Sequence, residues 1–320
     1  MSLARTLLLR ASRSPWLAEQ FRRRAFARRA VRRFMPGEDL GSALDAAADF
    51  AVGGIGTVLT SLGERVSSPA EAAAVRDHYL ALLAQLRERA LPAQVSVKLT
   101  HLGLDVEGGA ACADHVMALA ARAADAGSFL WIDMEESSYV DRTLELFART
   151  RARHAGVGVC LQAYLRRTPA DLDRVLALDG AVRLVKGAYS EPPEVAFPKK
   201  ADTDAAYVTL AERLVDHGAR GGGRGGARGG ARGGAVPAFG THDMRLVAQI
   251  RERAESLGVP RKAYEFHMLY GIRADEQRLL ANGGHAVRVL ISYGTAWFPW
   301  YMRRLAERPA NVWFVLRNLV

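Results

Sequence analysis

The amino-acid sequence predicts an α/β protein built as a closed (βα)8 barrel of the TIM type. Two observations carry this. Eight short runs rich in aliphatic and β-branched residues recur along the chain, each followed by a stretch with helical apolar spacing. Nearly every run also ends in a polar or charged residue, and a barrel gathers its chemistry at the C-terminal ends of its strands. Strands alternating with helices argue for parallel βαβ units, and eight such units suggest closure rather than an open sheet. A doubly wound dinucleotide fold needs a GxGxxG turn after an early strand. "GGIGTVL" and "GVGVCL" lack the third glycine at that spacing.

The elements follow in chain order. Residues 1–36 hold ten arginines against one acid, Glu19. With apolar residues at irregular helical spacing, this stretch predicts a basic helical arm over residues 1–50: a solvated helix, a membrane-surface helix or a targeting peptide. The barrel is expected over 51–320. Its strand-like runs are "IGTVLTSL" (55–62), "AQVSVKLT" (93–100), "SFLWIDME" (128–135) and "VGVCLQA" (157–163). They continue as "AVRLVKGA" (181–188), "AVPAFGTH" (235–242), "AYEFHML" (263–269) and "AVRVLIS" (286–292). Helical patterns such as "SPAEAAAVRDHYLALLAQLRERA", "TPADLDRVLAL" and "DMRLVAQIRERAESLG" lie between them, with Ser68, Thr168, Asp202 and Asp243 as N-caps or first-turn residues. "GARGGGRGGARGGARGGA" (218–235) reads as a flexible insert before the sixth strand, on the barrel face opposite the chemistry. A last helix over 298–307, expected across the barrel mouth, carries Arg303 and Arg304, with Glu307 spaced to brace either one.

Charge is concentrated in two appendages. The net charge is +10, of which residues 1–36 supply +9 and 218–235 supply +4, leaving −3 for the rest. The body is therefore not basic, and nucleic-acid binding is left only to the arginine-rich segments. No apolar run is long enough to span a bilayer. Cys112 and Cys160 lack CxxC spacing and read as small core residues of a reducing compartment.

Read in order, the strand ends present Lys98, Asp133 with Glu135, Gln162, Arg183 with Lys186, Thr241 with His242, Glu265 with His267, then Ser292 and Tyr293. Charged side chains inside strands are rarely buried unpaired, so either they pair with one another or they serve a ligand. Interior pairing would let Glu265 hold Lys98 or Arg183. As a set, Lys98, Arg183, Lys186, Arg303 and Arg304 outnumber Asp133 and Glu265, and a cationic site suits a carboxylate or a pyrophosphate. A metal-dependent lyase, isomerase or hydrolase using His242, His267, Asp133 and Glu265 is the alternative, although no HxH or HExxH spacing supports it.

The motifs "FMPGE", "TSLGE", "VSVKLTHLGLD", "WIDMEES", "VCLQAYLRRT", "VRLVKGAY", "FGTHD", "YEFHMLYGIR" and "YGTAWFPWYMRRLAERPAN" span roughly residues 35–318. In them the chain resembles the FAD-dependent proline dehydrogenases (proline oxidases) of the monofunctional bacterial type. The resemblance implies FAD at the C-terminal face of the barrel and hydride transfer from C5 of L-proline to flavin N5, giving Δ1-pyrroline-5-carboxylate. A membrane quinone would accept the electrons, with the protein cytoplasmic or peripheral on the inner membrane face through its basic arm. Lys98, Arg303 and Arg304 match the residues that hold the substrate carboxylate, Asp133 the residue that braces them, and Arg183 the arginine beside the reactive part of the flavin. Met134, Gln162, Lys186, Gly187, Ala188, Thr241 and His242 match positions that contact FAD. Three positions depart from the family: Leu290 and Trp300 stand where tyrosines are usual, and His267 where glutamine is common. Leu290 and Trp300 are expected to line the substrate ring, so a substituted proline is an alternative substrate.

Overall fold

The computed structural model describes residues 31–63, 65–220, 236–298 and 301–302. Eight parallel strands close into a barrel in sequence order, with β1 paired to both β2 and β8. The elements are α1 (Leu40–Val52), β1 (Gly56–Ser61), α2 (Pro69–Glu88), β2 (Ala93–Val97), α3 (Ala110–Asp125), β3 (Leu130–Ile132), α4 (Val140–Arg151) and β4 (Val157–Gln162). They continue with α5 (Thr168–Ala177), β5 (Ala181–Val185), α6 (Lys200–Ala219), β6 (Ala238–Gly240), α7 (Met244–Ser256), β7 (Glu265–Leu269), α8 (Ala274–Asn282) and β8 (Ala286–Tyr293). Each strand falls inside, or within one residue of, the run expected for it.

Strand alternation sorts the side chains into two apolar clusters. Outward residues such as Leu59, Val95, Ile132, Val159, Leu184, Phe266 and Val289 pack against the helices in one large core. Inward residues Val58, Trp131, Ala181 and Ala238 form a separate cluster inside the barrel, joined by Phe129 and Leu290. The barrel is therefore filled, as closed eight-stranded barrels are, and a ligand must sit at its mouth.

Helix starts follow the capping residues. Ser68 caps α2 by accepting from the Glu71 amide, with Pro69 at the first helical position. The buried face of α2 includes Tyr79, whose hydroxyl donates to the Ser96 carbonyl (3.1 Å) and accepts from the Ser61 amide (3.0 Å). That ring pins α2 to the ends of two strands. Asp243 caps α7, while Thr168 and Asp202 lie in the first turns of α5 and α6.

Helix α1 buries Ala43, Leu44, Ala46 and Ala47 and packs against β1 and β8. It covers the seam where the barrel closes, so residues 40–50 of the expected arm contribute to the outer helical layer. Beyond β8, Trp297, Phe298, Tyr301 and Met302 are helical and buried, and Trp297 donates to Glu38 (2.8 Å). Most of the expected helix over 298–307 lies outside the described residues, as do residues 1–30 and 221–235.

Candidate active site

The site is centred on Arg183, which alternation in β5 turns into the barrel between the outward Val182 and Leu184. It is 3% exposed. Burial works against its charge, but the Cys160 and Asp133 side chains beside it together outweigh that penalty, and its pKa lies above the ordinary arginine value. The partners are well defined. Its Nη2 donates to Asp133 Oδ1 and to Ser96 Oγ (2.7 Å), and its Nε donates to Cys160 Sγ (2.7 Å). Ser96 Oγ also donates to Asp133 (2.8 Å). The guanidinium carbon stands 5.2 Å from the centroid of the Trp131 ring, a cation–π contact. Arg183 Nη1 is buried with no hydrogen-bond partner among the described residues.

The next layer down is a separate polar group. Trp131 donates to Gln94 (2.6 Å) and meets His267 edge-on (centroids 5.7 Å). His267 Nε2 shares a 2.9 Å bond with Glu265, whose two oxygens both accept from Arg288 Nε at 2.9 Å. This corrects one expectation: Glu265 is the first residue of β7, at the foot of the barrel, and pairs with Arg288 rather than with Lys98 or Arg183. Burial would raise the Glu265 pKa, but Arg288 and the His267 bond hold it at about 2. Burial also lowers His267, which the neighbouring arginines reinforce, to about 4, so its ring is neutral at pH 7.

At the mouth, Gln162 Nε2 donates to the Met134 carbonyl (3.2 Å), while its Oε1 is buried without a partner among the described residues. The Met134 side chain packs into the outer core. Lys186 Nζ donates to Asp204 (2.5 Å) and lies 3.6 Å from Asp243. Gly187 has φ +107°, and a Cβ there would fall 2.1 Å from the Tyr164 ring. Ala188 follows in the same loop. Thr241 accepts from the Asp243 amide (3.1 Å), and His242 Nε2 accepts from the Leu269 amide (2.8 Å), which leaves the His242 proton on Nδ1. Lys98 sits half-buried directly after β2. Glu135 is a scaffold residue that accepts from the Thr100 amide and hydroxyl (3.0 and 2.5 Å), tying two loops together. Tyr293 faces outward and bonds His78 (2.8 Å).

Asp133 and Arg183 are thus in direct contact, and Met134, Gln162, Lys186, Gly187, Ala188, Thr241 and His242 follow the ends of β3 to β6. Leu290 lies one inward layer below Ser292, packed in the interior cluster with Trp131. Trp300, Arg303 and Arg304 lie outside the described residues. The four donors weighed for a metal are not brought together. Asp133 bonds Arg183, Glu265 and His267 bond each other a layer lower, and His242 is committed to a backbone amide. Among the described residues no group of three or more His, Cys, Asp and Glu is placed to hold a metal ion. Ser96, Cys160 and Asp204 were not singled out from the sequence. Ser96 and Cys160 each lie two residues before a named residue, Lys98 and Gln162, so strand alternation gives their inward direction but not their partners across the barrel.

Comparison with known proteins decides the family. The family model for proline dehydrogenase matches residues 43–317. The chain belongs to the proline dehydrogenase family. It is 35% identical over 293 residues to the proline dehydrogenase of Deinococcus radiodurans, covering 90% of this chain and 89% of that one. It is 33% identical over 290 residues to proline dehydrogenase 1 of Bacillus subtilis, covering 91% and 90%. Among solved structures it is similar to proline utilization A from Bdellovibrio bacteriovorus, inactivated by N-propargylglycine, with TM-score 0.77 and 25% identity. That match covers 88% of this chain and 33% of the larger protein, so the chain spans about a third of it. The barrel described above is therefore that of a proline dehydrogenase family member.

Proposed function

We propose that this chain oxidises L-proline to Δ1-pyrroline-5-carboxylate with bound FAD, as the first step of proline catabolism, and passes the electrons to a quinone. The observation that carries the reading is Arg183, a buried cation fixed by Asp133 and Ser96 whose Nη1 has no partner among the described residues. Together with the buried Oε1 of Gln162, which has no partner among the described residues, and the glycine turn at Gly187, it fits the polar edge of a flavin. Met134, Gln162, Lys186, Gly187, Ala188, Thr241 and His242 would hold the cofactor. When bound, the flavin supplies the hydride acceptor.

The chain supplies position and charge. Arg183 favours negative charge at the flavin edge beside it, in a buried setting where a fixed cation counts for more than in water. Lys98, Arg303 and Arg304 bind the substrate carboxylate, and that anchorage aims C5 of the ring. Leu290 and Trp300 would supply the apolar wall of the ring pocket. Among the described residues no helix is long and apolar enough to cross a membrane. We place the protein in the cytoplasm, with the basic arm available for contact with the inner membrane face, where a quinone is met.

Arg303→Met and Arg304→Met test the substrate assignment. Each is expected to raise KM for proline roughly 10- to 100-fold, the scale of one lost charge-assisted hydrogen bond, while bound flavin stays near wild type. Unchanged saturation curves in both variants would remove these arginines from the substrate site.

A further inference from the structure

We propose that Cys160 is a positioning residue for Arg183: its thiol joins the guanidinium to Asp133 and so decides which arginine donors remain for the flavin. The inference rests on the function proposed above. Cys160 in β4 and Arg183 in β5 are partners in the parallel register, so their inward side chains stand side by side. Arg183 Nε donates to the sulfur at 2.7 Å, and the sulfur lies 3.5 Å from Asp133 Oδ1, the oxygen that also accepts from Arg183 Nη2. The three side chains therefore form a closed ring in which the thiol accepts from the arginine and donates to the aspartate. Only a protonated thiol can do both. Burial raises the Cys160 pKa to about 12, which keeps the proton in place at any pH at which the enzyme works.

The donor inventory shows what the ring achieves. Of the five N–H groups of Arg183, Nε is taken by Cys160, and Nη2 is taken by Asp133 and Ser96. Among the described residues, Nη1 alone meets no hydrogen-bond acceptor. An apolar residue at 160 would leave Nε–H buried without an acceptor, and the guanidinium would turn to recover one at the expense of Nη1. A serine hydroxyl can accept and donate in the same two directions, with a shorter reach.

The test compares the wild type with Cys160→Ser, Cys160→Val and Cys160→Ala as full-length flavoproteins. For the valine and alanine variants, kcat should fall about tenfold or more, the cost of a displaced catalytic group, with KM for proline within twofold. Their two-electron flavin potential should become about 30 mV more negative, which is tenfold weaker stabilisation of the reduced form. The serine variant should recover most of both effects. Wild-type kcat and potential in the valine and alanine variants would overturn the proposal, and so would a serine variant as impaired as valine. If neither apolar variant folds while serine does, the thiol holds the barrel rather than the arginine, and the proposal fails. Flavin content and proline turnover of the wild type are read first. Their absence refutes the proposed function, whereas an active wild type with indifferent Cys160 variants refutes only this inference.

Discussion

His267 and Glu265 share a hydrogen bond under the Trp131 ring, and both have folded-state pKa values below their ordinary ones. For His267 the folded value is about 4 against 6.5, so below pH 6.5 the unfolded chain takes up a proton that the native state refuses. Its contribution to stability is lost as pH falls from 6.5 to 4. Glu265, at about 2 against 4.5, adds a second loss below pH 4.5. The groups facing this pair are Arg288 and Arg183, and both oppose protonation of the histidine. His267→Gln keeps a donor for Glu265 but does not titrate. Thermal and urea unfolding at pH 7 and pH 5 should show the wild type losing about 2 kcal/mol more than the variant on acidification. Equal losses would mean that His267 does not carry the acid sensitivity. At this scale the sequence was informative wherever alternation alone decides direction, and it placed Lys98, Asp133, Gln162 and Arg183 at or near the barrel mouth. Cys160 was read as core because a lone thiol in an apolar run looks apolar. Its role depends on cross-strand register with Arg183, which no local pattern encodes.

At the level of elements, the loops after the strands carry the site, and the turn after β5 is the most constrained. Gly187 holds φ +107°, a conformation that side-chain-bearing residues rarely adopt, and its α-carbon faces the Tyr164 ring. Gly187→Ala combines backbone strain of about 1–3 kcal/mol with a steric overlap with the Tyr164 ring, in a turn proposed to hold the flavin. A lower Tm and a reduced flavin-to-protein absorbance ratio are expected. Full flavin occupancy at wild-type Tm would show that the turn is not a binding element. The eight strands were legible because their apolar runs are short and well separated. Most runs were read too long, two of them by the most: β3 covers only Leu130–Ile132 and β6 only Ala238–Gly240. Their polar ends had been counted as strand although Asp133 and Thr241 already belong to the loops. The packing of α1 was masked by the arginines before it. Its alanine-rich face becomes meaningful only because the outward surfaces of β1 and β8 need a cover.

Across the whole molecule, the excess positive charge is concentrated in two segments of the sequence. The body carries −3, while the positive charge resides in residues 1–36 and 218–235. The second of these runs from the end of α6 toward the start of β6, both on the N-terminal face of the barrel and far from Arg183. Deletion of residues 220–234 should therefore leave kcat and KM for proline within about twofold, as expected for a surface linker away from the chemistry. A larger loss in steady-state assays would tie that segment to the site. The family assignment rests on the match over residues 43–317, and the proposed flavin and its place rest on what gathers around Arg183. One measurement bears on that directly: the visible absorbance spectrum of the purified protein, recorded anaerobically before and after L-proline is added. The account predicts a yellow protein whose flavin bands bleach on addition of proline. A colourless protein that takes up no added FAD, or a flavin band that proline leaves unchanged, would contradict it.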